Sequence, residues 1–141
     1  MTTPTNPHDL TPAEQRRYAR HLTLPYVGPE GQRKLKQGRV LIAGAGSYIG
    51  ERLAAWLNRA PECFSVDTVD LRAQGWQQAD WTGWDAVVLV AGIAHRKEQP
   101  GDEAMYDRVN HVLAVDAARK AKQSGVGQFV FFSSMSVYGK E

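Results

Sequence analysis

Four short apolar segments along the chain predict the strands of a buried sheet. The first and third, residues 40–43 and 86–90, are unbroken apolar runs. Such runs are typical of strands that are covered on both faces. Residues 64–71 alternate between apolar and polar side chains, and residues 129–132 are again apolar. We therefore expect these four segments to lie side by side in one sheet.

Helical patterns lie between these segments, at residues 49–59 and 102–123. Pro61 is expected to end the first helix, and Gly125 the second. Residues 72–84 are irregular and predict at most a short turn of helix. The order β-α-β-β-α-β predicts an α/β fold, in which a mostly parallel sheet carries helices on both faces and the crossovers are right-handed.

The chain before the first predicted strand has a different pattern. Its first residues include prolines and small polar side chains, which predict a loosely attached arm. Thr11, Pro12 and Glu14 match the start of a capped helix over 12–21, and a second short helix is expected over 29–37. The predicted parts are a flexible arm at 1–10, a helical N-terminal appendage at 11–38 and an α/β domain, incomplete at its C-terminal end, at 39–141.

Composition narrows the class of protein. The 141 residues are 43% hydrophobic and 23% charged, as expected of a soluble globular domain. No apolar run approaches the roughly 20 residues that span a bilayer, and no signal-peptide pattern is visible. Cys63 is the only cysteine, which favours a reducing, cytoplasmic compartment. A net charge of +2 gives no argument for nucleic acid, and the histidine spacings give none for a metal.

A glycine-rich turn joins the first strand to the next helix. Gly44, Gly46 and Gly50 lie in GAGSYIG, where glycines permit positive φ and a close approach of pyrophosphate to the backbone. The helix N-terminus that follows offers free N–H groups and a partial positive charge. Asp70, near the end of the second strand, could accept a hydrogen bond from an adenosine ribose and would repel a 2′-phosphate, which favours NAD over NADP. The alternative is that Asp70 only caps a turn.

Several motifs occur in the order found in one enzyme family. They are GAGSYIG at 44–50, VDLR at 69–72, DAVVLVAGIAH at 85–95, YDRVNHV at 106–112 and QFVFFSSMSVYG at 128–139. Together they resemble the N-terminal half of the extended short-chain dehydrogenases/reductases, the NAD-dependent epimerase/dehydratase family that acts on nucleotide sugars. The resemblance implies a Rossmann-like fold, a nicotinamide dinucleotide cofactor and, in the complete parent, a nucleotide-sugar substrate.

The resemblance also implies roles for individual residues. It assigns the pyrophosphate to Gly44, Gly46, Ser47, Tyr48, Ile49 and Gly50. It places Asp70 and Leu71 by the adenosine, and Ala91, Gly92 and Ile93 on the ribose and phosphate side. It implies that Asn110 supports the cofactor site, that Ser133 flanks the nicotinamide, and that Ser134 is the catalytic residue that hydrogen-bonds the sugar hydroxyl or keto oxygen.

The chain departs from the family pattern in three ways. Ser47 stands where the family usually has glycine, and the short stretch from Gly50 to Asp85 implies that one strand is missing or reduced. The family's catalytic Tyr-x-x-x-Lys pair is absent, because Tyr138 and Lys140 are too close in sequence to share a helix face. We therefore expect a chain that can bind the dinucleotide but lacks the catalytic pair and the substrate-binding part.

A second resemblance covers residues 11–46. LTPAEQRRYARHLTLPYVGPEGQRKLKQGRVLIAGAG is similar to the opening of ThiF/MoeB/HesA-type adenylyltransferases. In that family the arginine matched by Arg20 reaches across a dimer to the nucleotide phosphates. The resemblance leaves open a fusion, a gene fragment, an ATP-dependent adenylyltransferase fragment, or a non-catalytic nucleotide-binding or dimerisation module. A homodimer or self-association through an exposed sheet edge is also expected.

The tryptophans allow further expectations. Trp56 is expected to pack into the core, because it lies in the amphipathic helix at 49–59. Trp76, Trp81 and Trp84 fall in the irregular segment and are expected to cover a hydrophobic edge of the short sheet. The alternatives are a stacking platform for bases or a subunit contact. His95 follows the third strand and is a further candidate contact for phosphate or substrate.

Overall fold

The computed structural model describes residues 9–61, 64–93 and 101–133. Its centre is a parallel four-stranded sheet in the order β2-β1-β3-β4. The strands are β1 (Gly38–Ala43), β2 (Phe64–Val69), β3 (Ala86–Leu89) and β4 (Gln128–Phe131). The four apolar segments of the sequence therefore form the sheet, and the α/β prediction is confirmed.

The strand register brings the carboxyl ends of three strands to one edge of the sheet. Ala43 at the end of β1 is paired with Val69 on one side and with Leu89 on the other. Gly44 and Asp70, the residues that follow β1 and β2, therefore lie next to each other at the ends of these strands. Ligands of open parallel sheets bind at this edge, so the fold itself selects the region in which to look for a site.

Helices cover both faces of the sheet. Helix α4 (Tyr48–Leu57) packs against β1 and β2, and helix α6 (Leu113–Gln123) packs against β3 and β4. Alternate residues of β1 point to opposite faces, so Leu41 belongs to the core under α6 and the fully buried Ile42 to the other face. The other buried members of the core under α6 are Ala43, Leu71, Trp76, Trp81, Val87, Leu89, Ala117 and Ala121.

From residue 9 onward, where the structure describes the chain, three short helices precede the sheet. They are α1 (Pro12–Arg17), α2 (Ala19–Leu22) and α3 (Gly28–Lys36). The capping box predicted at the start of α1 is present, since the Glu14 N–H donates to Thr11 Oγ1 at 3.2 Å and the Thr11 N–H donates to Glu14 Oε2 at 2.7 Å. The single helix expected over 12–21 is divided, because Tyr18 has φ −101° and ψ 15° and its ring stacks on His21.

The connection from β2 to β3 contains no further strand among its described residues. A three-residue 3₁₀ helix, Trp76–Gln78, is the one regular element there. Strand β2 is consequently an edge of the sheet, and the reduction expected from the short sequence is observed. On this edge strand the Thr68 N–H donates to Asp67 Oδ1 at 2.7 Å. One backbone N–H of the edge therefore already has an acceptor and is not free to pair with another strand.

Two tryptophans of this connection, Trp76 and Trp81, lie in the core, and the partly buried Trp84 packs against it. Trp76 and Trp81 are 5% and 1% exposed, and their rings contact each other at a centroid distance of 5.8 Å. They are thus unavailable as a stacking platform for bases. The prediction for Trp56 is wrong: it is 61% exposed. Helix α4 buries the stripe that contains Gly50 and Leu57, and Trp56 lies beside that stripe.

Candidate functional site

A cavity of about 680 Å³ lies at the carboxyl edge of the sheet. Four chain segments form its wall: the turn after β1, the segment after β2, the segment after β3, and one side of the helix before β4. They comprise Gly44–Ser47, Asp70–Gln77, Ala91–Ile93 and Arg108, Val109, Val112, Leu113 and Asp116. Residues that are far apart in sequence therefore meet where the parallel sheet predicts a ligand site.

The glycine turn needs its glycines for close packing. A Cβ on Gly44, whose φ is +136°, would lie 2.9 Å from the Ala91 nitrogen. A Cβ on Gly50 would lie 2.7 Å from the Gly44 carbonyl oxygen and 2.8 Å from Ser47 Oγ. Gly46 differs, because at φ +74° it faces the cavity and its Cβ position is near only the Arg72 Nη2 atom, at 3.1 Å. Gly44 and Gly50 hold the turn together, and Gly46 leaves room beside it.

Ser47 is the N-cap of α4. Its side-chain oxygen accepts a hydrogen bond from the Gly50 N–H at 3.1 Å, and its carbonyl accepts one from Glu51 at 2.9 Å. Its φ of −83° is an ordinary value, so this position tolerates serine in place of the family's glycine. The N–H groups of Tyr48 and Ile49 have no acceptor among the described residues and remain available at the helix N-terminus.

Asp70 is held by Arg72 at the end of β2. The Arg72 N–H and Nε donate to Asp70 Oδ1, each at 2.9 Å, and Arg72 Nη2 donates to Oδ2 at 2.9 Å. Asp70 therefore does cap a turn, as the alternative interpretation holds. Both side chains also line the cavity. Hydrogen bonds from the Arg72 side chain, and next from its backbone, hold the pKa of Asp70 below its ordinary value, so the group is a carboxylate at neutral pH.

Asn110 clamps the segment that follows β3. The Ile93 N–H donates to Asn110 Oδ1 at 2.8 Å, and Asn110 Nδ2 donates to the Ile93 carbonyl at 3.0 Å. Asn110 lies in a π-helical stretch, Asp107–Val112, between α5 (Glu103–Tyr106) and α6. A single π-helical stretch within a helix often marks a functional site. Asn110 does not line the cavity itself, so any influence on a ligand passes through Ile93.

The structure groups many of the predicted site residues and separates others. The cavity brings together Gly44, Gly46, Ser47, Asp70, Leu71, Ala91, Gly92 and Ile93. Tyr48, Ile49, Gly50, Asn110 and the exposed Ser133 do not line it. Ser134 and His95 lie outside the described residues. Within the described part of the chain, no group of three or more His, Cys, Asp or Glu side chains could hold a metal ion.

Sequence reasoning missed part of the cavity wall. Arg72, Gln74 and Trp76 come from the irregular segment after β2, and Arg108 and Asp116 come from the helix before β4. Arg72 belongs to the VDLR motif and could have been considered for that reason. Arg108 likewise belongs to the YDRVNHV motif, whereas Gln74, Trp76 and Asp116 carry no local signal, because they reach the cavity only through the path of the chain.

The sheet order, the glycine turn and the cavity at the carboxyl edge define a Rossmann-like α/β fold. The model of the NAD dependent epimerase/dehydratase family matches residues 40–141, and the chain belongs to that family. The first resemblance is thereby confirmed. Among the described residues, no helix combines the length and apolar character needed to cross a membrane.

Three similar proteins illustrate the relationships. A solved structure of MoeE5 in complex with UDP-glucose and NAD superposes with a TM-score of 0.61 at 22% identity, over 74% of this chain. Protein FMP52, mitochondrial, of Chaetomium globosum is 29% identical over 111 residues, 67% of this chain. The adenylyltransferase and sulfurtransferase MOCS3-1 of Zea mays is 56% identical over 41 residues, 29% of this chain. The short similarity to adenylyltransferases that the sequence predicts at residues 11–46 is therefore also present.

The chain spans only part of each of these proteins. It covers 39% of the MoeE5 chain, 48% of the fungal protein and 8% of the maize protein.

Proposed function

We propose that this chain binds NAD in the cavity at the carboxyl edge of the sheet. In a complete protein, this unit would serve an oxidoreductase that acts on nucleotide sugars. Membership of the NAD dependent epimerase/dehydratase family supports this proposal. The observation that carries it is the meeting of the glycine turn, Asp70 and Ala91–Ile93 around one cavity of about 680 Å³. A volume of several hundred Å³ is typical of small-molecule and cofactor sites.

The residues present suit an anionic dinucleotide. Gly46 leaves the cavity open beside the turn, so a pyrophosphate can approach the backbone. The N–H groups of Tyr48 and Ile49 would donate to phosphate oxygens, and the dipole of the ten-residue helix α4 favours negative charge there. Bound NAD supplies the hydride-accepting ring, and the chain supplies binding and orientation.

The adenosine and nicotinamide ends would be held by different segments. Asp70 and Leu71 would contact the adenosine, and one lone pair of Asp70 Oδ2 is available to a ribose hydroxyl. Ala91, Gly92 and Ile93 would contact the ribose and phosphates, with Asn110 holding Ile93 in place. Ser133 by the nicotinamide and Ser134 at the sugar remain proposals that follow from the family resemblance.

An ATP-dependent adenylyltransferase fragment is the second candidate. The maize protein that is 56% identical over 41 residues favours it. Arg20, the residue this interpretation needs, lies in α2, is exposed, and does not line the cavity of its own chain. It would act only if a second copy presented it to the nucleotide. This candidate predicts magnesium-dependent ATP binding that Arg20→Ala weakens.

A matched pair of glycine variants tests the NAD proposal. Gly46 and Gly125 both have φ +74°, so Gly46→Ala and Gly125→Ala each put an alanine in the same disfavoured left-handed φ region. Only the first places a methyl group in the cavity, because a Cβ on Gly125 has nothing within 4 Å. Titration calorimetry with NAD⁺ should show binding that Gly46→Ala weakens about tenfold or more, a loss of at least ~1.4 kcal/mol. Gly125→Ala should bind as the unaltered chain does.

The same titrations separate the candidates. ATP with magnesium is measured beside NAD⁺, and Arg20→Ala beside the glycine variants. Preference for ATP with magnesium, lost in Arg20→Ala, would replace the NAD proposal with the adenylyltransferase one. Binding of neither nucleotide would leave the non-catalytic dimerisation module, which sedimentation of the chain tests directly.

A further inference from the structure

We propose that Arg72 makes this cavity accept the 2′-phosphate of NADP as well as the free ribose of NAD. The inference rests on the proposed dinucleotide site and concerns its adenosine end. It departs from the expectation from sequence that Asp70 favours NAD over NADP. The reason is the arrangement of Asp70 and Arg72 around each other, which the sequence alone does not reveal.

Charge decides whether a 2′-phosphate can approach Asp70. An unpaired carboxylate at this place would repel a phosphate dianion. Here three hydrogen bonds from Arg72, each of 2.9 Å, engage both oxygens of Asp70. The two side chains form an ion pair with no net charge. The repulsion that would exclude the 2′-phosphate is therefore largely cancelled before any ligand arrives.

The Asp70–Arg72 pair also has hydrogen-bonding groups that it does not use internally. A guanidinium has five N–H donors. Nε and Nη2 of Arg72 are used by Asp70 and, at 3.5 Å, by the Ala45 carbonyl. Both N–H groups of Nη1 have no acceptor among the described residues. Within the described part of the chain, Asp70 Oδ2 in turn accepts a single hydrogen bond. The pair offers donors for a phosphate and an acceptor for a ribose hydroxyl at the same time.

Arg72 lies beside the glycine turn. The Arg72 Nη2 atom lies 3.1 Å from the Cβ position of Gly46, so the guanidinium rests against the glycine turn inside the cavity wall. The Arg72 side chain is 76% exposed and that of Asp70 37%, so a ligand can reach both. An arginine near the acidic residue of a Rossmann-like site is the group that accommodates a 2′-phosphate. Arg72 lies in that position here, and Asp70 can still accept a hydrogen bond from a ribose hydroxyl.

The test compares NAD⁺ and NADP⁺ on three variants by titration calorimetry. Arg72→Met removes the donors and keeps an apolar stem, and Arg72→Lys keeps the charge without the planar fork. Arg33→Met is the matched control, since Arg33 pairs with Asp9 at 3.4 Å in the N-terminal helices, away from the cavity. Circular dichroism of each variant checks that the fold is retained. The fragments 2′,5′-ADP and 5′-AMP repeat the comparison at the adenosine end alone.

We expect the unaltered chain to bind NADP⁺ within about tenfold of NAD⁺. Arg72→Met should weaken NADP⁺ and 2′,5′-ADP by about tenfold or more relative to NAD⁺ and 5′-AMP, because charge-assisted donors are lost and Asp70 is left unpaired. Arg72→Lys should fall between, and Arg33→Met should change neither.

Two results would overturn the inference alone. One is NAD⁺ binding with NADP⁺ weaker by about 100-fold or more in the unaltered chain. The other is an equal loss of both dinucleotides in Arg72→Met. Binding of neither dinucleotide to the unaltered chain would instead overturn the proposed function, and the inference with it.

Discussion

The N-terminal helices and the sheet unit are stabilised in different ways. In the sheet unit, residues 38–133, the buried side chains are apolar: Ile42, Val87, Leu89 and Trp81 are all 1% exposed or less. In the described N-terminal residues before it, the buried side chains are polar, Gln32 at 6% and Lys36 at 8% exposed. The buried contacts are thus apolar in the sheet unit and polar in the N-terminal helices.

The buried lysine links the ends of the N-terminal helices. Lys36 Nζ, at the end of α3, donates to Glu14 Oε2 and to the Asp9 carbonyl, each at 3.0 Å. Glu14 is also the acidic member of the capping box of α1. His21 in α2 is joined to Gln32 in α3 by a hydrogen bond of 3.3 Å. Directional polar contacts therefore set how these helices meet.

This difference has a physical consequence. Apolar burial stabilises in proportion to area and depends little on pH or salt. A polar network gives less net stabilisation for each contact, and it is lost when one partner is removed or neutralised. The sheet unit should therefore resist conditions that open the N-terminal helices.

The largest effect is expected from the core of the sheet unit. Trp81→Ala removes the largest fully buried side chain and should lower the free energy of unfolding by about 3–5 kcal/mol. Urea unfolding followed by circular dichroism measures this. Trp56→Ala is the matched control, since Trp56 is 61% exposed, and its effect should stay within about 0.5 kcal/mol. Equal losses in the two variants would refute the assignment of the core.

An intermediate effect is expected from Lys36. Lys36→Met leaves Glu14 without its buried partner and should cost about 1.5–3 kcal/mol, confined to the N-terminal helices. Hydrogen exchange should show faster exchange of amides in α1 and α3 and unchanged exchange in β1 and β3. Lys34→Met is the control on the same helix, because its ion pair with Glu30 is 77% exposed on both sides. Faster exchange throughout the sheet would contradict the expectation that the sheet unit stays folded when the N-terminal helices open.

The smallest effect is expected from pH. The Thr11 N–H, and next Lys36, hold the pKa of Glu14 below its ordinary value of 4.5. A carboxyl whose pKa is lowered by folding stabilises the fold above its unfolded value, and this stabilisation is lost as the pH falls through the folded value. The protection factors of the α1 amides, which compare their exchange with the intrinsic rate at each pH, should therefore fall below about pH 4.5 while those of β1 stay high. Glu14→Gln should remove the dependence; a dependence that persists would assign it to another carboxyl.

Local patterns predicted much of this protein. The four apolar segments became the four strands, and the glycine turn lies between β1 and α4 as expected. Thr11 and Glu14 form their capping box, because that motif needs only residues three apart in sequence. The helix expected over 102–123 ends at Gln123, as predicted. The cause is also local, because Gly125, with φ +74°, follows closely in the sequence. Where neighbours in sequence decide, the sequence was sufficient.

The site was predicted only in part. The strand ends placed Gly44, Asp70 and Ala91 at one edge, because parallel strands share a direction. The remaining wall, with Arg72 and Arg108, depends on how the irregular segment and the helix before β4 return over the cavity. The predicted parts of the chain, 1–10, 11–38 and 39–141, and the cytoplasmic location remain predictions.

The sequence by itself determined the fold class, the family and the position of the glycine turn, because each is written in short-range patterns and ordered motifs. Tertiary structure alone decided that Trp56 is exposed while Trp81 is buried, since neither the amphipathic helix that holds Trp56 nor the irregular segment that holds Trp81 specifies which side chains are covered. It also decided that Asp70 meets the cavity already paired with Arg72. Side-chain exposure and ion pairing depend on contacts in space, which a linear pattern does not specify.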